Sequence, residues 1–524
     1  MRAVLRFDVE CTRWRCSLLR HVVAHRVPVR STAVTTAIGK ESQPGLAIDS
    51  AEPVRVFGRD VEYKWIVAAV LVSALFLDIL DTTIVNVALP TLGREFGADL
   101  TEWVVIGYTL SLAVFIPAAG WLSDRYGNKR VFLFALATFV TASVLCGAAQ
   151  NIEQLIGFRV LQGIGGGMLT PVALGMLFRV FPPAERARVS TVMMVPTLAA
   201  PALGPVIGGV LITNLSWRWI FTINIPIGIL AFLAGFKLLR EHREPTAGSF
   251  DLAGFALSGA GFSAVVYAMS EGPRAGWTSV RVLGFGAVGL VMVVTMVIVE
   301  TRKRQPMLQL RLLGDRMFRQ ANIVSAFSIG SFIGLLFVLP QYLQSLRGLS
   351  AQESGLTTFP QAIGVGLSSL VAGSIYKRIG PRRLIASGLF LASMTIFAFH
   401  WLTLDTNLWW IRGLVFLRGI AMGFAFVPMQ ASSYATIKPA DNGRAASVFS
   451  TQRQLAVSVA VAILATILAS FVDFGAAGAV EDPQRALDGF RVTFYVTAAL
   501  ALAGSIAALF IRDRDAAATM AVRN

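Results

Sequence analysis

Residues 65–89 read WIVAAVLVSALFLDILDTTIVNVAL, a run of 25 residues whose only charges are Asp78 and Asp81. At about 1.5 Å of rise per residue, a helix of that length crosses a hydrocarbon core of about 30 Å. A carboxylate at the bilayer centre costs roughly 2.5–3.5 kcal/mol on insertion scales. Two such groups must therefore face protein or water rather than lipid. Their i, i+3 spacing puts both on one helical face. The stretch reads as a membrane-spanning helix in a protein that moves charged solutes or protons.

The rest of the chain continues the pattern. Of 524 residues, 55% are hydrophobic and 15% charged, against about 25% charged in a soluble globular protein. Apolar runs of about 20 residues alternate with short polar connectors from residue 65 to residue 511, giving fourteen spans. The net charge of +16 would suggest nucleic acid in a soluble chain. Here it reflects basic loops. With the N-terminus inside, the inward loops carry twenty-one Lys and Arg and the outward loops seven, as the positive-inside rule requires. Both termini are then expected in the cytoplasm. Residues 1–64 hold eleven basic residues and no long apolar run, so they read as a disordered tail and not as a cleaved signal peptide. Cys11, Cys16 and Cys146 form no C-x-x-C pair. His21 and His25 beside Cys16 have no fourth ligand nearby, and no metal or other cofactor is expected.

The chain repeats itself. Gly120-Trp-Leu-Ser-Asp-Arg-Tyr-Gly-Asn-Lys-Arg130, after the second span, aligns without a gap to Gly373-Ser-Ile-Tyr-Lys-Arg-Ile-Gly-Pro-Arg-Arg383, after the tenth. Asp124 is matched by Lys377, so the second copy has lost its acid. A weaker echo pairs Gln162-Gly163-Ile164 with Arg418-Gly419-Ile420. Parallel repeats of this kind build transporters from two halves around a midplane site. The expected organisation is a six-helix half (65–240), a linker with two extra transmembrane helices (241–304), a second six-helix half (305–512) and a short cytoplasmic tail (513–524).

Four stretches resemble the major facilitator superfamily, and more narrowly its fourteen-spanning drug:proton antiporters. The loop carrying Gly120, Asp124, Arg125, Gly127, Lys129 and Arg130 is similar to the superfamily's loop between its second and third helices. Leu80-Asp81-Thr-Thr-Ile-Val-Asn86-Val-Ala-Leu-Pro90 resembles the first-helix motif of the fourteen-helix subgroup, and Arg159-Val-Leu-Gln162-Gly163 the fourth-helix motif. Pro201-Ala-Leu-Gly204-Pro205-Val-Ile-Gly208-Gly209 looks like the fifth-helix antiporter motif, and Trp217-Arg218-Trp219 through Asn224 and Pro226 follows it. The resemblance covers roughly residues 60–512. It implies an all-α polytopic protein of the bacterial plasma membrane that exports drugs or other amphipathic or cationic small molecules by alternating access. Protons would be the counter-substrate, membrane lipid the surroundings, and a periplasmic adaptor protein the partner where the host has an outer membrane.

The resemblance assigns roles that physics supports. Burial disfavours the charged form of a carboxylate and a nearby cation favours it, so Asp81 first and Asp78 second are expected to couple proton and substrate. Arg159, about two turns into the fourth span, needs a partner or water and is expected to join that relay. The Asp124 loop is expected to brace the two halves at the inner face. Gly204 and Gly208 form a G-x-x-x-G that lets helices approach closely, while Pro205 weakens the turn. Arg418 and Arg453 also lie within spans, as cavity lining or as structural pairs. Gln341 and Tyr342, following Pro340, are candidate pocket residues.

Two alternatives were weighed against these residues. A dedicated exporter of one endogenous metabolite or lipid-like compound would show the same sequence features. A membrane enzyme would need a catalytic constellation, and the chain has no H-E-x-x-H, no G-x-S-x-G in a loop, and no Walker loop, since the glycine-rich 163–167 lacks a following Lys. The short loops also leave no room for a catalytic domain.

Overall fold

The computed structural model describes residues 53–56, 59–96, 101, 103–243, 248–304, 306–472 and 482–520. Among them, thirteen helical segments are long and apolar enough to cross a membrane. One further helix, at Arg186–Asn214, is 29 residues long with an apolar stretch over Leu203–Asn214. The spans therefore number about fourteen, in an all-helical fold.

The first half holds α1 (Tyr63–Phe96), α2 (Trp103–Tyr126), α3 (Asn128–Ala148), α4 (Ile152–Val180), α5 (Arg186–Asn214), a short α6 (Trp219–Thr222) and α7 (Asn224–Leu238). A helical pair follows, α8 (Leu252–Ala275) and α9 (Val280–Arg302). The second half holds α10 (Arg316–Gln341), α11 (Ala351–Thr358), α12 (Pro360–Ile379), α13 (Pro381–Phe397), α14 (Leu408–Ser433), α15 (Asn442–Phe471) and α16 (Pro483–Ala508), with α17 (Ala517–Met520) after it. Helix starts carry the side chains that satisfy free backbone N–H groups. Asn151 accepts from Gln154 N, Asp315 from Phe318 N, and Ser350 with Glu353 forms a capping box.

Apolar residues cover the outer face of α9 between its terminal Arg281 and Arg302, both exposed. Val280, Leu283, Val288, Leu290 and Val291 are all exposed, as befits a surface turned to lipid. The helix α8 packs on both α2 and α15, so the pair touches both halves. Its contact with α2 is an aromatic ladder. Trp103–Tyr267 and Phe115–Phe255 ring centroids lie 5.9 Å apart, and Trp121–Phe250 4.8 Å. Offset and edge-on pairs of this kind contribute about 0.5–1.5 kcal/mol each beyond area burial.

The two ends of the chain depart from expectation. The sequence offers no ordered element before residue 65, yet β1 (Pro53–Val56) and β2 (Arg59–Glu62) pair antiparallel, with Val54 opposite Val61. Lys64 then bridges to Glu185 at 2.8 Å. Residues 1–52, with Cys11, Cys16, His21 and His25, lie outside the described residues. After α16 the chain folds back instead of trailing as a tail. Asp513 accepts a hydrogen bond from Arg382 N at 2.9 Å, and Thr519 is buried in hydrogen-bond contact with Tyr376. Both segments are short and polar, and only their partners on other helices reveal them.

Candidate functional site

Five helices of the first half converge on Asp81, which is fully buried. Arg159 on α4 places Nη1 2.5 Å from Asp81 Oδ2. Gln162, one turn further along α4, donates Nε2 to Asp81 Oδ1 at 2.9 Å, and Asn224 on α7 donates Nδ2 to the same oxygen at 2.8 Å. The arrangement is completed by Ser143 on α3, whose Oγ accepts from Gln162 at 2.7 Å, and by Val104 O, which accepts from Arg159 Nε at 3.1 Å. A buried charge needs this kind of saturation, because leaving one partner bare costs several kcal/mol. The Asp81 carboxylate thus sits in a sealed, compensated pair.

Asp78 meets a different environment one turn earlier. It is half-buried and held by two neutral hydroxyls. Tyr108 on α2 donates to Oδ1 at 2.6 Å and Thr170 on α4 to Oδ2 at 3.2 Å. Arg453 on α15, in the other half, is half-buried too and lies within electrostatic reach of Asp78. The two aspartates are joined through one side chain. The Tyr108 hydroxyl binds Asp78, and its ring face lies 4.1 Å from the Arg159 guanidinium, a favourable cation–π distance. Gly163 makes this possible. A Cβ there would lie 2.6 Å from Tyr108 O, so no larger residue lets α4 come this close to α2.

The Asp124 loop divides its work. Asp124, buried at the end of α2, accepts from Arg444 Nε of α15 at 3.0 Å. Gly120 lies flat against the same helix, where a Cβ would come within 2.7 Å of Ser447 Oγ. These two residues reach the other half. The basic residues do not. Lys129 donates Nζ to Phe236 O at 2.6 Å, Arg130 lies 3.6 Å from Glu241, and Arg125 is exposed. Gly127 turns the chain at φ +102°, a backbone conformation that favours glycine. Other cross-half contacts gather at this arginine-rich end. Asn442 donates to Phe178 O at 3.1 Å, Arg186 to Tyr434 O, and the Phe178 and Tyr434 rings stack at 4.6 Å. The bundle is closed there.

Gly204 and Gly208 seat α5 on α1, just past Asp81. A Cβ on Gly204 would lie 2.4 Å from Thr83 Oγ1, and one on Gly208 2.9 Å from Ile84. Pro205 faces the other half at Gly355 of α11, and the surroundings of Gly209 are open. The helix runs unbroken through Pro205.

Of the two expected pocket residues, Tyr342 turns into the core and Gln341 is half-buried. Tyr342 is fully buried among Phe490 and Phe494 with its hydroxyl on Thr403 O at 2.8 Å, and Gln341 donates to Phe337 O of its own helix at 3.2 Å. An aromatic after a helical proline resembles a pocket residue in sequence, but here a π-helical turn at 342–346 rotates it into the core. Arg418 is likewise buried and structural. It donates to Gln361 Oε1 at 2.5 Å and to Ser331 O at 2.9 Å. Sequence reasoning missed Tyr108, Ser143, Thr170 and Arg444. Neutral polar residues in apolar runs carry little signal, and Arg444 stands 320 positions from the acid it meets.

Comparison with known proteins accords with this architecture. The sequence profile of the Major Facilitator Superfamily matches residues 71–461 and, again, 322–522. The chain belongs to the Major Facilitator Superfamily. The multidrug resistance protein B homolog of Mycobacterium tuberculosis is 33% identical over 408 residues, covering 76% of this chain and 75% of that protein. The tetracenomycin C resistance and export protein of Streptomyces glaucescens is 30% identical, covering 75% of this chain and 74% of that one. The human organic anion transporter MFSD10 (TETRAN) shares the fold, with a TM-score of 0.61 at 16% identity over 85% of this chain and 99% of that one. As a superfamily member the chain is a multi-pass membrane transporter of small molecules and not an enzyme.

Proposed function

We propose that the chain exports amphipathic, cationic small molecules from the cytoplasm in exchange for protons. Two named relatives are resistance proteins, one for several drugs and one for tetracenomycin C with export in its name. The arginine-rich end is taken as cytoplasmic from the distribution of Lys and Arg. The form described, closed at that end, is then the one that has turned its cargo site outward.

The observation that carries the coupling is the contrast between the two aspartates. Asp81 is already neutralised by Arg159, so cargo gains little by meeting it. Asp78 is reachable, bound only by neutral hydroxyls, and faced by a cation of the opposite half. A proton or a cationic cargo competes for that carboxylate. Either one alters the hydrogen bond from Tyr108, and the Tyr108 ring passes the change to Arg159. Asp78 is the exchange site in this reading and Asp81–Arg159 the latch. Rocking of the halves breaks Asp124–Arg444 and reopens the cytoplasmic end. One proton crossing 100 mV supplies about 2.3 kcal/mol toward that rearrangement.

The test is ethidium efflux from proteoliposomes under an imposed pH gradient, with internal pH recorded. The parent chain is expected to move ethidium and protons in opposite directions. Asp78→Asn is expected to abolish the gradient-driven flux. Unchanged coupled flux in Asp78→Asn removes Asp78 from the mechanism, and flux indifferent to the gradient in the parent removes proton coupling altogether.

A further inference from the structure

A second cavity lies away from the Asp78 face. It has a volume of about 500 Å³ and sits between the α8–α9 pair and the second half, walled by Phe262, Met296, Leu308, Phe327 and Leu500. Its rim includes Val297, Val459 and Ile463, which are 40–43% exposed, so it opens sideways where lipid would lie. Drug-sized sites fall in the range of about 300–1,000 Å³.

Three polar side chains interrupt this apolar lining: Asn322 on α10, and Thr451 and Gln452 on α15. Asn322 Oδ1, Thr451 Oγ1 and Gln452 Oε1 are all buried and have no hydrogen-bond partner among the described residues. Asn322 and Thr451 are more than nine-tenths buried. The Asn322 amide nitrogen is committed to Phe318 O at 2.8 Å, which leaves its oxygen as the free end. Buried polar atoms are paired in the great majority of cases, so three unpaired oxygens lining one cavity mark a place where something donates to them. No ionisable side chain lines the cavity, and a charged guest would find no counter-ion. A phospholipid phosphate would bring a charge that no cation in the lining balances, and would find an acceptor facing it at Asn322 Oδ1.

We propose that this cavity binds an uncharged, mainly apolar small molecule that donates hydrogen bonds through hydroxyl or N–H groups, entering sideways from the lipid. Adjacent residues link the site to the exchange face. Gln452 turns to the cavity while the neighbouring Arg453 lies within reach of Asp78. A guest beside Gln452 therefore bears on the helix turn that presents Arg453. The site would widen the cargo range of the exporter to neutral compounds, and only that last step rests on the export reading.

The experiment is equilibrium binding of tritiated estradiol to the full chain in lipid nanodiscs, with estradiol dimethyl ether as the matched probe. The ether keeps the apolar body and the oxygens but has lost both donors. Estradiol is expected to bind about tenfold or more tightly than the ether, the usual consequence of leaving a buried acceptor unpaired. Thr451→Val and Asn322→Leu are expected to narrow that gap, and Ala456→Trp, which fills the lining, to remove binding of both probes. Binding is read at equilibrium with no pH gradient, so a failure of the export reading leaves this result standing. Thermal unfolding of each variant identifies any that fails to fold, and the nearly isosteric Thr451→Val then decides. Equal binding of the two probes, binding unchanged by Ala456→Trp in a folded variant, or no binding by the parent each overturns the proposal.

Discussion

The two halves share a scaffold and differ in what they bury on it. The loop repeat sets Gly120 against Gly373, and the same offset sets Tyr108 against Gln361. The helix echo sets Gln162 against Arg418 and Gly163 against Gly419. Both glycines do the same work. A Cβ at Gly163 would strike Tyr108 O at 2.6 Å, and one at Gly419 would strike Gln361 O at 2.2 Å. The polar groups held between those helices are unlike. The first half buries an acid and a base together, Asp81 with Arg159. In the second, Arg418 meets a carboxamide and two backbone carbonyls, and no carboxylate pairs with it among the described residues. An arginine cannot lose its proton in a protein, and amide oxygens do not titrate, so the Arg418 cluster keeps its bonds at any pH. Among the described residues, only the first half sets an acid against a base at this helix crossing. In one molecule the same helix packing holds an acid–base pair on one side and an arginine among neutral acceptors on the other.

Several substitutions would break or sharpen this contrast. The largest effect is expected from Arg159→Met, which strands Asp81 and should cost about 3–5 kcal/mol of stability. Arg418→Met leaves neutral acceptors behind and should cost only about 1–3 kcal/mol. Thermal unfolding in detergent compares the two, and equal losses would erase the distinction between the halves. Asp81→Asn with Arg159→Gln should restore part of what either change loses alone. An additive double variant would mean that the pair is not a unit. Gly163→Ala and Gly419→Ala should each cost about 1–3 kcal/mol through overpacking. Here the halves should behave alike, and a difference would show that the glycine match is superficial. Asp124→Asn should loosen the arginine-rich end, read as faster maleimide labelling of a cysteine at Ser447, whereas Lys377→Ala in the second copy should leave the rate unchanged. The smallest structural effect is expected at Asp78. The Asn variant should unfold within about 0.5 kcal/mol of the parent while losing coupled flux.

Much of this was legible from charge in the wrong place. Asp78, Asp81, Arg159, Arg418 and Arg453 stand out in apolar runs because each needs a partner there, and the helices containing them follow from length and hydropathy. What those residues touch was not legible. Tyr108 and Thr170 decide that Asp78 is held by hydroxyls, yet a tyrosine or threonine in a span is unremarkable in composition. The i, i+3 spacing of the two aspartates correctly shares a face but does not say that one is sealed and the other reachable, because Gln162, Asn224 and Ser143 come from α4, α7 and α3. The Asp124 loop reads as a brace built from acid and bases together. Only the acid crosses, because Glu241 and Phe236 O hold Lys129 and Arg130 at home.

The α8–α9 pair also fixes the proportions of the moving parts. Its ladder of rings grips α2 along most of its length, while its border with α15 contains the cavity, with Trp277 donating to Thr466 at 2.8 Å. If the proposed stroke shears the seam that holds the cavity, it divides the bundle into eight helices against six. The sideways chamber then lies on that fault line, and its capacity would swell and shrink once in every cycle.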